Sequence, residues 1–254
     1  AEWADQCWWG QERSGEPIYL IGDSNAAHFG ESIIGVGENL DRPVQILTAP
    51  SCIPLREMTV VYDFGVEVFP WCSEYNRFVY DYLDQAQPGT VVIAFSDVLS
   101  WSDDRYYLPA PGEELVGGSE QKADLLESLL YVDAKSLIEG GHDLAFVKTV
   151  PQFRTPGPPW DPQECNLVQL AADECARDVT IESLDATQRF NRDAITHVAV
   201  QTGSPLVDPR QELCDDTVCS TGDNGFLTYR DDIHISVAEA KRLIPYFETA
   251  LTSR

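Results

Sequence analysis

Basic residues are scarce in this chain. Its 254 residues include 17 Lys and Arg against 42 Asp and Glu, for a net charge of −25. Nucleic-acid phosphates and anionic lipid headgroups are held by Lys and Arg, so the balance argues against both partners. Long apolar runs are absent as well, and nothing approaches the roughly 20 residues that cross a bilayer. No basic, apolar signal peptide opens the chain, which begins at Ala1. An extracytoplasmic location would therefore require an upstream segment outside this sequence. Among the seven cysteines no Cys-x-x-Cys pair occurs, and with it goes the usual spacing of a structural zinc site. Present instead are 43% hydrophobic and 10% aromatic residues, enough to bury a core.

The cysteines stand at 7, 52, 72, 165, 175, 214 and 219, several in Pro- and Gly-rich loops such as Ser51-Cys52-Ile53-Pro54. Disulfides formed in an oxidising compartment fit this placement better than cytosolic thiols, with buried free thiols the alternative. Spacing alone does not determine the pairing. The nearest-neighbour pairing joins Cys52–Cys72, Cys165–Cys175 and Cys214–Cys219 and leaves Cys7 over. Each such loop would contribute roughly 2–3 kcal/mol in the chain-entropy model.

Short β-branched runs alternate with helical stretches. Strands are predicted at 18–21, 44–47, 90–95, 144–147 and 205–207. Helices are predicted at about 25–40, 73–85, 119–139, 164–177 and 183–202. A last helix runs from a capping box at Ser236-Val237-Ala238-Glu239 to about Leu251. Residues 48–72, 101–118 and 151–164 read as loops. Five strands with helices between them predict an α/β fold: a five-stranded parallel sheet in a three-layer α/β/α sandwich. Residues 1–15 read as a lead-in from a missing upstream region, and 16–254 as one domain.

Chemistry concentrates at the two ends of the chain. Gly22-Asp23-Ser24-Asn25 closes the first strand, where ligands bind in such sheets. A serine at that turn exposes its hydroxyl, and its N–H lies at a helix start. Serine needs a base to take its proton. Asp231-Asp232-Ile233-His234, just before the last helix, supplies a histidine and a carboxylate three residues away to hold it. Asp231 is the better placed of the two acids, Asp232 its rival. In a doubly wound sheet the two blocks can meet. His28, His142 and His197 read as ordinary structural histidines.

These blocks resemble the SGNH hydrolase superfamily. Tyr19-Leu20-Ile21-Gly22-Asp23-Ser24-Asn25-Ala26-Ala27-His28, Ser51-Cys52-Ile53-Pro54 and Asp231-Asp232-Ile233-His234-Ile235-Ser236 are most similar to the SGNH domain fused to acyltransferase-3 membrane proteins. That fused family usually has His after Gly-Asp-Ser, where this chain has Asn25. The wider superfamily places an oxyanion-hole glycine after the second strand, where this chain reads Thr48-Ala49-Pro50-Ser51-Cys52. A third block, Gly-x-Asn-Asp, is here Phe95-Ser96-Asp97-Val98, without the Asn donor.

The resemblance implies a flavodoxin-like SGNH fold and a catalytic Ser24, His234 and Asp231. The oxyanion-hole candidates are then Ser24, Ser51 and Ser96. Asn25 and Trp101 are candidates for the substrate pocket. Trp3, Trp8 and Trp9 read as packing under the domain or against an upstream region. The implied reaction is O-acyl transfer, of acetyl foremost, from an acyl donor to a hydroxyl of a bacterial cell-envelope glycan or glycolipid. An upstream acyltransferase-3 membrane domain would draw the acyl group from acyl-CoA. The SGNH domain itself would bind no cofactor and no metal, and would sit on the extracytoplasmic side of the membrane. A secreted acetyl or carbohydrate esterase is the first alternative; a decayed glycan-binding domain is the second.

Overall fold

The computed structural model describes residues 7–62, 67, 69–97, 105–108, 114–154, 160–166, 168–169, 174–223 and 226–253. Its strands are β1 (Trp8–Trp9), β2 (Ile18–Gly22), β3 (Val44–Thr48), β4 (Thr59–Tyr62), β5 (Thr90–Ala94), β6 (Arg105–Leu108), β7 (Asp143–Val147), β8 (Asp178–Thr180), β9 (Leu206–Val207), β10 (Val218–Ser220), β11 (Gly222–Asp223) and β12 (Phe226–Leu227). The helices are α1 (Ser24–Ala27), α2 (Gly30–Asn39), α3 (Trp71–Leu83), α4 (Ser119–Glu139), α5 (Ile181–Thr202), α6 (Arg210–Leu213), α7 (Val237–Arg242) and α8 (Ile244–Thr252).

The central sheet runs in the order β1-β3-β2-β5-β7-β9. Five strands are parallel, as predicted, but a sixth, β1, pairs antiparallel on the outer edge of β3. It comes from the lead-in segment, and the Ile46 N–H bonds the Cys7 carbonyl at 3.0 Å. Two residues are too short to show a period, so only the open edge of β3 reveals them as a strand.

Strand β2 is buried along its whole length, as a strand covered on both faces should be. Its side chains alternate between two cores. Ile18 and Leu20 join Phe29, Ile33, Val36, Leu243 and Phe247 on one face. Tyr19 and Ile21 join Val79, Leu83, Leu126, Leu130, Ile195 and Val198 on the other. The result is three layers: α2 and α8 on one side of the sheet, α3, α4 and α5 on the other. Among the described residues no helix is long and apolar enough to cross a membrane.

Several elements differ from the sequence reading. The first helix breaks at His28–Phe29 into α1 and α2. The last breaks at Leu243, where Pro245 in the first turn of α8 removes a backbone donor. Strands β4 and β6 form an antiparallel pair inside two stretches read as loop. Of the helix predicted at 164–177, Val168 and Gln169 are helical and 174–177 are not, while 167 and 170–173 lie outside the described residues. The disulfides are those of the nearest-neighbour pairing, Cys52–Cys72, Cys165–Cys175 and Cys214–Cys219, with Cys7 a free, half-buried thiol.

One buried acid on α4 makes the fold sensitive to pH. Asp133 accepts the Arg56 backbone N–H at 2.9 Å. Burial lifts its carboxyl to about 6, against the opposing pull of that N–H and the Arg56 charge. A carboxyl raised in the folded state stabilises fully below its ordinary value and loses that contribution as pH rises through about 6. Asp133→Asn should therefore raise the Tm at pH 8, by roughly 2–3 kcal/mol of stability, and leave it unchanged near pH 4. Thermal melts of both proteins across that range check this.

Candidate active site

Strand β2 ends at Gly22, whose φ of +143° and tight packing suit glycine alone: a Cβ there would collide with the Ala94 carbonyl oxygen of β5. Asp23 follows as the N-cap of α1, its Oδ1 accepting the Asn25 N–H at 2.8 Å. Its Oδ2 accepts both the N–H (3.0 Å) and the hydroxyl (2.5 Å) of Ser96, just past β5. Asp23 is fully buried. Burial pushes its carboxyl up, and the Ser96 and Asn25 donors pull it back only in part. Asp23 thus clamps the turn carrying Ser24 to the segment after β5. Both Ser96 donors are engaged by this carboxylate.

The other half of the site is a short antiparallel excursion. Tyr229 bridges Ile235, and the Arg230 N–H bonds the His234 carbonyl at 3.0 Å. At its tip Asp231 Oδ1 accepts the N–H groups of Ile233 (3.0 Å) and His234 (2.8 Å), an Asx turn. Ser236 then caps α7 by accepting the Glu239 N–H at 3.1 Å. The turn and the cap hold His234 from both sides.

These two ends of the chain meet in one hydrogen-bonded line. Ser24 Oγ lies 2.8 Å from His234 Nε2, across 210 residues of sequence. His234 Nδ1 lies 2.9 and 2.8 Å from the two Asp231 oxygens. Partial burial would raise the Asp231 carboxyl, but the hydrogen bonds from the His234 ring and the two backbone N–H groups outweigh it and bring it down to about 2. Asp231 is therefore ionised at neutral pH, so Nδ1 carries the imidazole proton and Nε2 faces Ser24 as an acceptor. Asp232 points elsewhere, its Oδ2 lying 3.9 Å from Arg154 Nε.

The loop after β3 runs beside the Ser24 turn, since the Ala49 N–H bonds the Gly22 carbonyl at 3.0 Å. Within it Ser51 has φ +63°. This is the left-handed conformation that glycine adopts freely. The Cys52–Cys72 disulfide, Asn76 Nδ2 donating to the Ile53 and Leu55 carbonyls, and Tyr80 donating to Pro54 bind this loop to α3. A non-glycine residue in that conformation carries about 1–2 kcal/mol of strain, partly offset by glycine's greater freedom when unfolded. Ser51→Gly is accordingly expected to stabilise the protein by up to about 1 kcal/mol, read as a higher denaturant midpoint.

Asn25 is buried beside Ser24, and neither polar atom of its side chain has a partner among the described residues. Trp101 lies outside the described residues. His28, also buried, sets its ring edge-on to His234 with centroids 5.9 Å apart. Burial, and then the His234 and Arg230 charges, keep His28 well below its ordinary value, so it is neutral. His142 is buried away from the site, between the Gly89 N–H and the Leu83 carbonyl. Among the described residues no group of three His, Cys, Asp or Glu stands close enough to hold a metal ion. The Asp23–Ser96 clamp went unread in the sequence. Its only signal was an acid and a hydroxyl in two blocks that end adjacent parallel strands.

A family model, the SGNH domain fused to AT3 domains, matches residues 1–249. Solved structures share the fold. One is the periplasmic domain of a lipopolysaccharide acetyltransferase from Salmonella ser. Paratyphi A, with TM-score 0.63 and 16% identity over 95% of this chain and 85% of that one. Another is an acetylxylan esterase from Geobacillus stearothermophilus, with TM-score 0.52 and 13% identity over 95% and 96%. No curated protein matches the chain. At these identities the structural likeness is one of fold, whereas the family model spans nearly every residue, including both blocks that meet at Ser24 and His234. The chain belongs to the family of SGNH domains fused to AT3 domains.

Proposed function

We propose that this domain moves an acyl group, acetyl foremost, onto a hydroxyl of a bacterial cell-envelope glycan or glycolipid through an ester on Ser24. The observation that carries the reading is the unbroken line from Ser24 Oγ through His234 to an ionised Asp231.

The steps follow from that line. The Ser24 hydroxyl gives its proton to His234 Nε2 as Oγ attacks the acyl carbonyl carbon of the donor. Negative charge builds on the carbonyl oxygen. The Ser24 N–H, at the start of α1, and the Ser51 N–H, in its fixed loop, are the proposed donors to it. Ser96 acts indirectly, by holding Asp23. The tetrahedral centre collapses, the donor's leaving group takes the proton from His234 Nε2, and acyl-Ser24 remains. An acceptor hydroxyl then gives its proton to Nε2 and attacks the ester, and Ser24 leaves reprotonated. Water in place of the acceptor gives hydrolysis.

The family's fusion to AT3 domains supports an upstream membrane partner that delivers acyl groups drawn from acyl-CoA. Three disulfides support an extracytoplasmic setting. The proposed steps use only side chains and backbone of this chain with its two substrates, so we propose no bound cofactor or metal. Incubation with p-nitrophenyl acetate tests the reading. The intact protein should release p-nitrophenolate and gain the mass of one acetyl group on Ser24, and Ser24→Ala should do neither. Equal release by both proteins would overturn it.

A further inference from the structure

Arginine gathers at one side of the candidate site, in a chain whose net charge is −25. Arg230 directly precedes Asp231. Its Nε lies 3.9 Å from Asp231 Oδ2, and its side chain is 55% exposed. A second segment, 151–154, follows β7 and is stitched to the first. The Phe153 N–H donates to the Asp232 carbonyl at 2.7 Å, and the Phe153 ring packs edge-on to Tyr229. This brings Arg154 Nε to 3.9 Å from Asp232 Oδ2, with a side chain 35% exposed. Arg177 fixes the same segment by donating to the Phe153 carbonyl at 3.2 Å. Two partly exposed guanidinium groups thus stand on braced backbone around the Asp231–His234 turn.

Among the described residues, Asp231 stands against Arg230 and Asp232 against Arg154. Asp231 already accepts from His234 and two backbone N–H groups. At physiological salt, charges beyond about 8 Å are largely screened. A substrate at this rim therefore meets the two arginines together with their neighbouring carboxylates, and the rest of the chain's negative charge is screened.

Chemistry says which part of the substrate lies here. His234 Nε2 must exchange a proton with the alcohol oxygen that accepts or releases the acyl group. The alcohol half therefore lies on the His234 side of Ser24, and the acyl oxygen on the side of the backbone donors. Arg230, beside Asp231, belongs to the His234 side, and Arg154 stands at the next residue of the same turn, beside Asp232.

We infer that the alcohol handled by this site carries an oxyanion, phosphate or carboxylate, about one sugar or polyol unit from the reacting hydroxyl, and that Arg230 with Arg154 holds it. The planar fork of arginine matches either group. The inference deepens the serine-ester reading above and rests on it.

Three acetyl esters, matched at the reacting oxygen, test it: acetylated methyl glucoside, its phosphorylated counterpart and the acetylated methyl glucuronide. The kcat/KM for acetate release should be about tenfold or more higher for at least one charged ester, and the two charged arms separate phosphate from carboxylate. Arg230→Gln should remove most of that preference, and Arg230→Lys should keep part of it, since Lys retains charge without the fork. The ratio between esters is the readout, because damage to His234 or Asp231 would slow all three alike. Equal or faster turnover of the neutral ester overturns the inference, as does a preference that survives Arg154→Gln and Arg230→Gln together. If no ester reacts, the serine-ester reading has failed, and calorimetry with the Ser24→Ala protein and the three deacetylated sugars decides the charge question alone. Tighter binding of a charged sugar supports the inference; equal binding overturns it.

Discussion

Ser24→Ala is expected to lower kcat for p-nitrophenyl acetate by about 10³- to 10⁵-fold, and His234→Ala by a similar factor. The double variant should be scarcely slower than either single one. In the proposed mechanism the two side chains act as one unit: a hydroxyl without a base is a poor nucleophile, and a base without the hydroxyl has nothing to activate. Their 2.8 Å separation makes that coupling direct. Steady-state kinetics of the three variants, with Tm values beside them, check the prediction. Independent, additive losses would mean that Ser24 and His234 do not share a step. Both variants should fold, since the Ser24 hydroxyl and the His234 ring are hydrogen-bonded within the site and the backbone turns that hold them are made by Asp23 and Asp231.

Asp231→Asn should cost about 10³- to 10⁴-fold in kcat while leaving the turn intact. Asn Oδ1 still accepts the Ile233 and His234 N–H groups, so the local fold is kept. Its amide, however, donates toward His234 Nδ1, where the carboxylate accepts. The imidazole then carries its proton on Nε2 and points a donor at Ser24, so the base is lost with little change in shape. Asp231→Ala removes the turn as well and should lower Tm in addition. The Asp231 carboxyl also has a sign in pH. Held down at about 2, it contributes stability that is present above its ordinary value and lost as pH falls toward 2. Acid melts of the protein and of Asp231→Asn should therefore draw together as pH falls below about 4 and meet near pH 2.

The two blocks that meet at Ser24 and His234 were legible because each is local. Gly22-Asp23-Ser24 needs only a strand end and a turn, and Asp231-Asp232-Ile233-His234 needs only an Asx turn three residues long. The main strands were legible for the same reason, since buried parallel strands are nearly continuous apolar runs and β2 is buried throughout. The disulfides likewise join neighbours in sequence, the longest closing 20 residues. Elements whose reason lies far away in the chain were not legible. The pairing of β4 with β6 satisfies backbone groups of two segments that each look like loop. β1 is two residues long and is a strand only because β3 offers an edge. Ser96 is an oxyanion-hole candidate by its place in a block, and only the fold shows that its N–H and hydroxyl bond Asp23, 73 residues away.

By itself the sequence determined the layered α/β class and the two short blocks that carry Ser24 and Asp231–His234, because periodicity and turn chemistry act over a few residues, while it left the cysteine pairing open. Tertiary structure alone decided that Ser24 and His234 touch across 210 residues, that Ser51 takes a glycine's conformation beside them, and that Arg154 stands near Arg230. Those are contacts between distant segments, and they exist only once the sheet has ordered its strands and brought their C-terminal ends to one edge.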